Sequence, residues 1–267
     1  MTPVRSAQYK PVMSTPVAVV TGASRGIGKR LAVDLAGAGY DVVCAARSSA
    51  GTPSKLPGTV DDTAAAVVAT GRRAMAAPLD VQDEDAVAGL ADRVYREWGR
   101  CDLLVNNAAV APPRPALEDS IRRWRLAVDV NLNGPFYLTW HLGRRMIAAG
   151  GGRVINVSSA AAVMPEFGRP SYTATKLALE GLTEALGLEL RDRLAVNCIR
   201  IDIPIWSEGF EATLPNDFDT AGFEDAAIMS DAVLWLIRQD PSVTARVFTL
   251  TELRRLGIVR PEIFHRG

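Results

Sequence analysis

From about residue 17 to residue 250 the chain alternates short apolar runs with longer amphipathic stretches. The apolar runs VAVVT (Val17–Thr21), DVVCAA (Asp41–Ala46), AMAAPL (74–79), LLVN (Leu103–Asn106), RVINV (153–157), AVNCIRI (Ala195–Ile201) and RVFTL (246–250) read as strands. Between them, apolar residues recur at helical spacing over 26–37, 59–71, 83–98, 117–149, 171–191 and 224–238. Strand and helix alternate throughout, which predicts parallel βαβ units in one doubly wound α/β sheet. No linker divides the stretch and no internal repeat is visible. Residues 1–16 are expected as a loose arm, 17–250 as one domain and 251–267 as a tail.

Two stretches break the rhythm. RSSAGTPSKLPGTV (47–60) makes a long Ser-, Gly- and Pro-rich connection after the second strand. DIPIWSEGFEATLPNDFDTAGF (202–223) follows the sixth strand and mixes Trp206, Phe210, Phe218 and Phe223 with Glu208, Glu211, Asp217 and Asp219. Open α/β sheets bind ligands beyond the carboxyl ends of their strands, so 202–223 is a candidate substrate lid; an ordinary surface excursion is the alternative.

Composition narrows the partners. The 267 residues suit one large α/β domain, and thirty basic residues balance thirty acidic ones. Proteins that live on nucleic acid or anionic lipid show a basic excess, so neither partner is expected. Cys44, Cys101 and Cys198 are far apart and set in apolar stretches, which predicts reduced core thiols of a cytoplasmic protein. Together with His141 and His265 they offer no metal-ligand spacing. No apolar run approaches the ~18 residues of a membrane span.

Candidate chemistry begins after the first strand. Thr21-Gly22-Ala23-Ser24-Arg25-Gly26-Ile27-Gly28 opens directly into a helix. Gly22 permits a tight turn, Gly26 lets backbone approach a pyrophosphate, and Gly28 lets the helix pack close to the sheet. The helix N-terminus then offers N–H groups and partial positive charge to phosphates. At the end of the second strand, where a carboxylate would hold the ribose hydroxyls of NAD(H), the chain reads Cys44-Ala45-Ala46-Arg47. Arg25 and Arg47 with no carboxylate suit a 2′-phosphate and favour NADP(H); NAD(H) stays possible. Asp80-Val81 closes the third strand, where Asp80 suits either an adenine amino group or the cap of the next helix. Asn106-Asn107-Ala108-Ala109 closes the fourth, where amides with small neighbours brace the sheet end or form a plain turn.

Tyr172-Thr173-Ala174-Thr175-Lys176 places a phenol and an ammonium on one helix face. A tyrosine with a pKa of about 10 is a poor acid–base group at neutral pH, and a nearby cation lowers that value. Ser159, thirteen positions earlier, ends the fifth strand and converges on the same sheet edge. Its hydroxyl suits a carbonyl oxygen, with Ser158 expected to face the other way along the pleat. Asn131 precedes Gly134-Pro135 in a helical stretch, where a kink would free backbone carbonyls for water; Asn133 is the alternative.

Taken in order, TGASRGIG, the LDV of 79–81, NNAA, the Asn of DVNLNG, Ser159 and YTATK resemble a classical short-chain dehydrogenase/reductase over about residues 16–250. The LPGT within 47–60 further resembles the hydroxysteroid dehydrogenase-like branch. The resemblance implies a seven-stranded parallel sheet in the order 3-2-1-4-5-6-7, and Asn131, Ser159, Tyr172 and Lys176 as a catalytic tetrad. It implies cofactor contacts from Gly22, Ser24, Arg25, Gly26, Ile27, Gly28, Arg47, Asp80, Val81, Asn107, Ala108, Ala109, Tyr172, Lys176 and Ile203. It implies hydride transfer between a nicotinamide cofactor, NADP(H) preferred on the two arginines, and a small carbonyl or alcohol substrate, in a homotetramer or homodimer joined through 117–149 and 171–191. The aromatic lid suggests an apolar or ring-containing substrate. A non-catalytic dinucleotide sensor or scaffold, and an epimerase or dehydratase on the same fold, are the competing readings.

One segment departs from the family pattern. Ile201-Asp202 replaces Pro-Gly, Pro204 takes the position whose backbone holds the carboxamide, and Trp206 takes that of a Thr. Proline has no N–H to give. Ile203 or Ile205 is therefore expected to supply the backbone contact and Ser207 to replace the Thr in part, with the Asp202 carboxylate near the cofactor. RVFTLT (246–251) lacks the glycines the family commonly has there.

Overall fold

The structure, a computed structural model, describes residues 15–111, 113–212 and 222–264. Expected features at residues 1–14, Asp217, Phe218, Asp219 and His265 lie outside these. Strands β1 (Val17–Thr21), β2 (Asp41–Ala46), β3 (Ala74–Pro78), β4 (Leu103–Asn106), β5 (Arg153–Ser159), β6 (Ala195–Ile201) and β7 (Arg246–Thr249) form one parallel sheet. Its order is β3-β2-β1-β4-β5-β6-β7, a single doubly wound Rossmann-type α/β domain. The helices are α1 (Gly26–Gly37), α2 (Val60–Ala69), α3 (Glu84–Trp98), α4 (Ile121–Val128), α5 (Gly134–Ala148), α6 (Pro170–Glu189), α7 (Glu208–Glu211), α8 (Ala227–Leu236) and α9 (Leu250–Arg255).

The pleat divides each strand between two apolar layers. Ala18 and Val20 join Leu31 and Leu35 of α1 and Met229 and Val233 of α8 on one face. Val17 and Val19 join Val87 and Val94 of α3 and Leu138, Leu142 and Met146 of α5 on the other. Every residue of β1 is buried, as a central strand covered on both sides requires. Strand order reverses between β1 and β4, so a crevice opens at their carboxyl ends, where Thr21 and Asn106 stand.

Buried polar side chains lock this edge. Asn106 Nδ2 donates to Asn156 Oδ1 of β5 at 2.8 Å, and Asn156 Nδ2 to Thr183 Oγ1 of α6 at 2.8 Å. Glu180 of α6 takes a bidentate pair from Arg200 of β6, at 2.8 and 2.6 Å.

Two expectations change. The stretch 117–149 is not one helix kinked at Gly134-Pro135. It divides earlier, into α4, a π-helical turn over Asp129–Asn133 and α5, with the Gly134 N–H reaching back to the Asp129 carbonyl. Pro135 sits in the first turn of α5, directly after the π-helical turn. Residues 251–264 are also more than a tail. After α9 the chain folds back so that Phe264 N donates to the Phe223 carbonyl at 3.0 Å and Asp225 N to the Glu262 carbonyl at 2.8 Å. Arg254 pairs with both carboxylate oxygens of Glu224, and Val259 enters the core.

Candidate active site

The strand end at Ser159 and the first turn of α6 meet at the carboxyl edge of the sheet. The Ser159 hydroxyl lies close enough to the Tyr172 phenol to favour its ionised form. One turn along, the Lys176 ammonium donates 2.7 Å to the Val157 carbonyl and lies 5.7 Å from the centre of the Tyr172 ring. Ser158 is buried in the sheet, as the pleat predicts.

Lys176 is 2% exposed, and burial pushes its ammonium down to about 8 while Cys198 and Glu180 oppose the shift. Burial pushes the Tyr172 phenol up, against the nearby Ser159 hydroxyl and Arg169 guanidinium. The i, i+4 spacing alone predicts the opposite direction for the phenol. Lys176 is aimed at the Val157 carbonyl, and desolvation outweighs what cations supply.

Asn131 is fully buried and grips backbone. Its Oδ1 accepts from Val110 N at 2.8 Å; its Nδ2 donates to Val110 O at 2.9 Å and to Thr175 Oγ1 at 3.1 Å. Thr175 Oγ1 donates in turn to the Tyr172 carbonyl at 3.0 Å. The π turn thus tethers the 108–111 loop to the Tyr172 turn of α6. Asn133 instead donates 2.9 Å to Asp129 of its own turn. Thr175 does not stand out in the sequence, because a hydroxyl at that helix position gives no signal until its partner is placed.

At the glycine turn, Gly22 and Gly26 have φ of +66° and +51°, where a side chain is strained. A Cβ on Gly28 would stand 2.3 Å from the Gly22 carbonyl oxygen, so α1 seats on β1 at backbone contact. Thr21 Oγ1 accepts from Asn107 N at 3.0 Å and Ala108 N at 3.1 Å, while Asn107 Nδ2 donates 2.9 Å to the Thr21 carbonyl. Asn107 and Ala108 therefore fasten β4 to the turn. The first turn of α1 has neither a side-chain cap nor an acidic residue.

The two arginines behave differently. Arg25 is committed to the 47–60 connection: Nε donates to Pro57 O at 2.8 Å, and Nη2 to Ser54 Oγ at 2.7 Å and Ser48 Oγ at 3.0 Å. Arg47 is exposed and close enough to Arg25 to depress its basicity, after desolvation. Ser24 is buried and Ile27 half-buried beside them, while Ala109 is exposed at the other rim. Asp80 receives Gln82 N at 3.1 Å and Gln82 Nε2 at 3.0 Å; the cap of α3 is Asp83, not Asp80. Val81 packs where a Cβ on Gly134 would stand, 2.9 Å away.

Beyond β6, Asp202 turns away from the expected cofactor path. Its Oδ1 accepts from Thr251 N at 3.0 Å, in the first turn of α9. Ile203 is half-buried against the core. The Ser207 hydroxyl accepts from Phe210 N at 3.2 Å and caps α7.

The family model for short chain dehydrogenase matches residues 16–203 of this chain. The chain is a short-chain dehydrogenase/reductase. It is 34% identical over 189 residues to a 3-oxoacyl-acyl-carrier-protein reductase of Synechocystis sp., covering 70% of this chain and 73% of that one. It superposes with TM-score 0.72 and 32% identity on a metagenomic short-chain oxidoreductase in complex with NADP, over 87% of this chain and 96% of that one. A short chain dehydrogenase from Mycobacterium paratuberculosis bound to NAD matches with TM-score 0.78 and 28% identity, over 89% and 96%. The family match ends at 203, where this short-chain dehydrogenase/reductase replaces Pro-Gly by Ile201-Asp202. The dehydrogenase's residues fit a dinucleotide: the uncapped first turn of α1 suits a pyrophosphate, and Gly22, Gly26 and Ala108 leave backbone within reach.

Proposed function

We propose that this oxidoreductase of the short-chain family is a carbonyl reductase or alcohol dehydrogenase that prefers NADP(H). The observation that carries the reading is the meeting of the Ser159 hydroxyl and the Tyr172 phenol at the sheet edge, with a buried lysine one turn along. When bound, the nicotinamide dinucleotide supplies or accepts the hydride. Ser159 Oγ donates a hydrogen bond to the substrate oxygen, and Tyr172 Oη delivers a proton to it as negative charge develops there. Lys176 holds positive charge beside the phenol in a desolvated site, which strengthens that charge's effect. Asn131 and Thr175 hold the Tyr172 turn in place. In alcohol oxidation Tyr172 takes the proton instead.

The α1 N-terminus with Gly22, Gly26 and Ile27 would hold the pyrophosphate, and Asp80, Val81, Asn107, Ala108 and Ala109 the adenosine side. Ser24, Arg47 and Ser48 stand where β2 ends without a carboxylate, which supports the 2′-phosphate preference. Ile203 remains the proposed backbone contact for the carboxamide. Val163, Met164 and Phe167 are exposed in the segment that follows Ser159, which supports an apolar or ring-containing substrate.

The test follows reduced-nicotinamide absorbance with a panel of apolar ketones and secondary alcohols. Tyr172→Phe is expected to lower kcat by about 10²–10⁴-fold. Equal activity of wild type and variant would end the proton-donor assignment. A dinucleotide sensor is the second reading, favoured by Pro204, which has no N–H to give, at the position whose backbone would hold the carboxamide; NADPH binding with no turnover on any substrate would support it.

A further inference from the structure

Helix α7 bridges two parts of the candidate site. At one end it rests on the glycine turn: a Cβ added to Gly26 would stand 2.8 Å from Ser207 Cβ and 3.4 Å from Glu208 Oε2. At the other end, the Arg169 guanidinium lies 5.7 Å over the Phe210 ring, three residues before Tyr172. Phe210 also packs 5.6 Å from the Phe223 ring. The helix therefore links the phosphate cradle to the start of α6.

Glu208 Oε2 is buried and has no hydrogen-bond partner among the described residues. The Arg25 guanidinium feels its charge, yet gives its hydrogen bonds to the 47–60 connection. The N-terminal end of α1, uncapped and without an acid of its own, lies beside the carboxylate and attracts it through its partial positive charge. This is the donor set that suits a pyrophosphate, and two anions cannot share it.

We propose that Glu208 is an internal competitor for the dinucleotide's pyrophosphate: it sits against the glycine turn and must leave before the cofactor enters. The inference rests on the reading that this turn binds a dinucleotide. Displacing Glu208 moves α7, and with it Phe210 away from Arg169, so cofactor entry and opening beside Tyr172 become one event. A chain held mostly in the covered form binds cofactor more weakly in proportion to its uncovered fraction.

Titrating the intact protein with NADPH, read by reduced-nicotinamide fluorescence without substrate, tests this. Glu208→Gln keeps the shape and removes the charge; it is expected to tighten NADPH about fivefold. Phe210→Ala, which frees the far end of α7, should tighten it in the same direction. Adenosine 2′-monophosphate, which carries no pyrophosphate, should bind wild type and Glu208→Gln alike. Unchanged or weaker NADPH binding by Glu208→Gln overturns the proposal, as does equal tightening of adenosine 2′-monophosphate. If NADPH and NADH bind neither protein, the dinucleotide reading fails with it.

Discussion

Lys176 illustrates what a single side chain in this site demands of the fold. Its ammonium is 2% exposed and donates to the Val157 carbonyl at 2.7 Å. Burial lowers its pKa from 10.5 to about 8. A depressed pKa means that the unfolded chain holds the proton more tightly than the folded one. The associated stabilisation is complete above 10.5 and is lost as pH falls through about 8. Near neutral pH the lysine is charged in both states, and the fold bears the whole desolvation cost. Lys176→Met is therefore expected to raise stability near pH 7 by about 1–3 kcal/mol, with the gain shrinking as pH rises toward 10. Urea unfolding at several pH values reads the gain, while oxidoreductase activity should fall sharply; a variant less stable than wild type at pH 7 would contradict the reading. The Tyr172–Lys176 pairing was legible from i, i+4 spacing. The direction of the Tyr172 shift was not, because it depends on how much of the molecule covers the phenol.

Among elements, the strands were the most legible. Every expected strand range agrees with the structure to within two residues at its ends, because an apolar run bounded by polar residues is a local signal. The β1–α1 junction was equally clear, since three glycines in that turn have backbone reasons. Gly28→Ala is expected to destabilise by about 2 kcal/mol and weaken dinucleotide binding, because its Cβ would meet a backbone oxygen at 2.3 Å. Gly89, in the middle of α3 with nothing within 4 Å of an added methyl group, provides the contrast. Gly89→Ala should stabilise by about 0.5–1 kcal/mol. Thermal unfolding of the two variants side by side checks both signs. The π turn at Asp129–Asn133 left no trace in the periodicity. It exists because Asn131 reaches Val110 and Thr175, 21 and 44 positions away.

At the scale of the whole molecule, a sheet covered on both faces leaves function to its carboxyl edge and association to its helices. Phe136 and Trp140, one turn apart on α5, are 41% and 45% exposed, and Ile121 and Trp124 of α4 are exposed too. An apolar stripe of this kind supports the proposed homodimer or homotetramer through α4, α5 and α6. Trp140→Glu is expected to lower the assembly to a smaller species in light scattering, with the far-UV circular dichroism retained. A wild-type chain that is monomeric at micromolar concentration would refute it.

The amino-acid sequence alone determined the alternation of strands and helices, the glycine turn and the placing of Ser159, Tyr172 and Lys176 at one edge. Each follows from backbone geometry or side-chain period within a short window. Tertiary structure decided which groups those side chains face. It turned Asp202 toward α9, drew Arg25 into the 47–60 connection and laid Glu208 on the glycine turn. Such outcomes depend on desolvation and on partners tens to hundreds of residues distant, which no local pattern encodes.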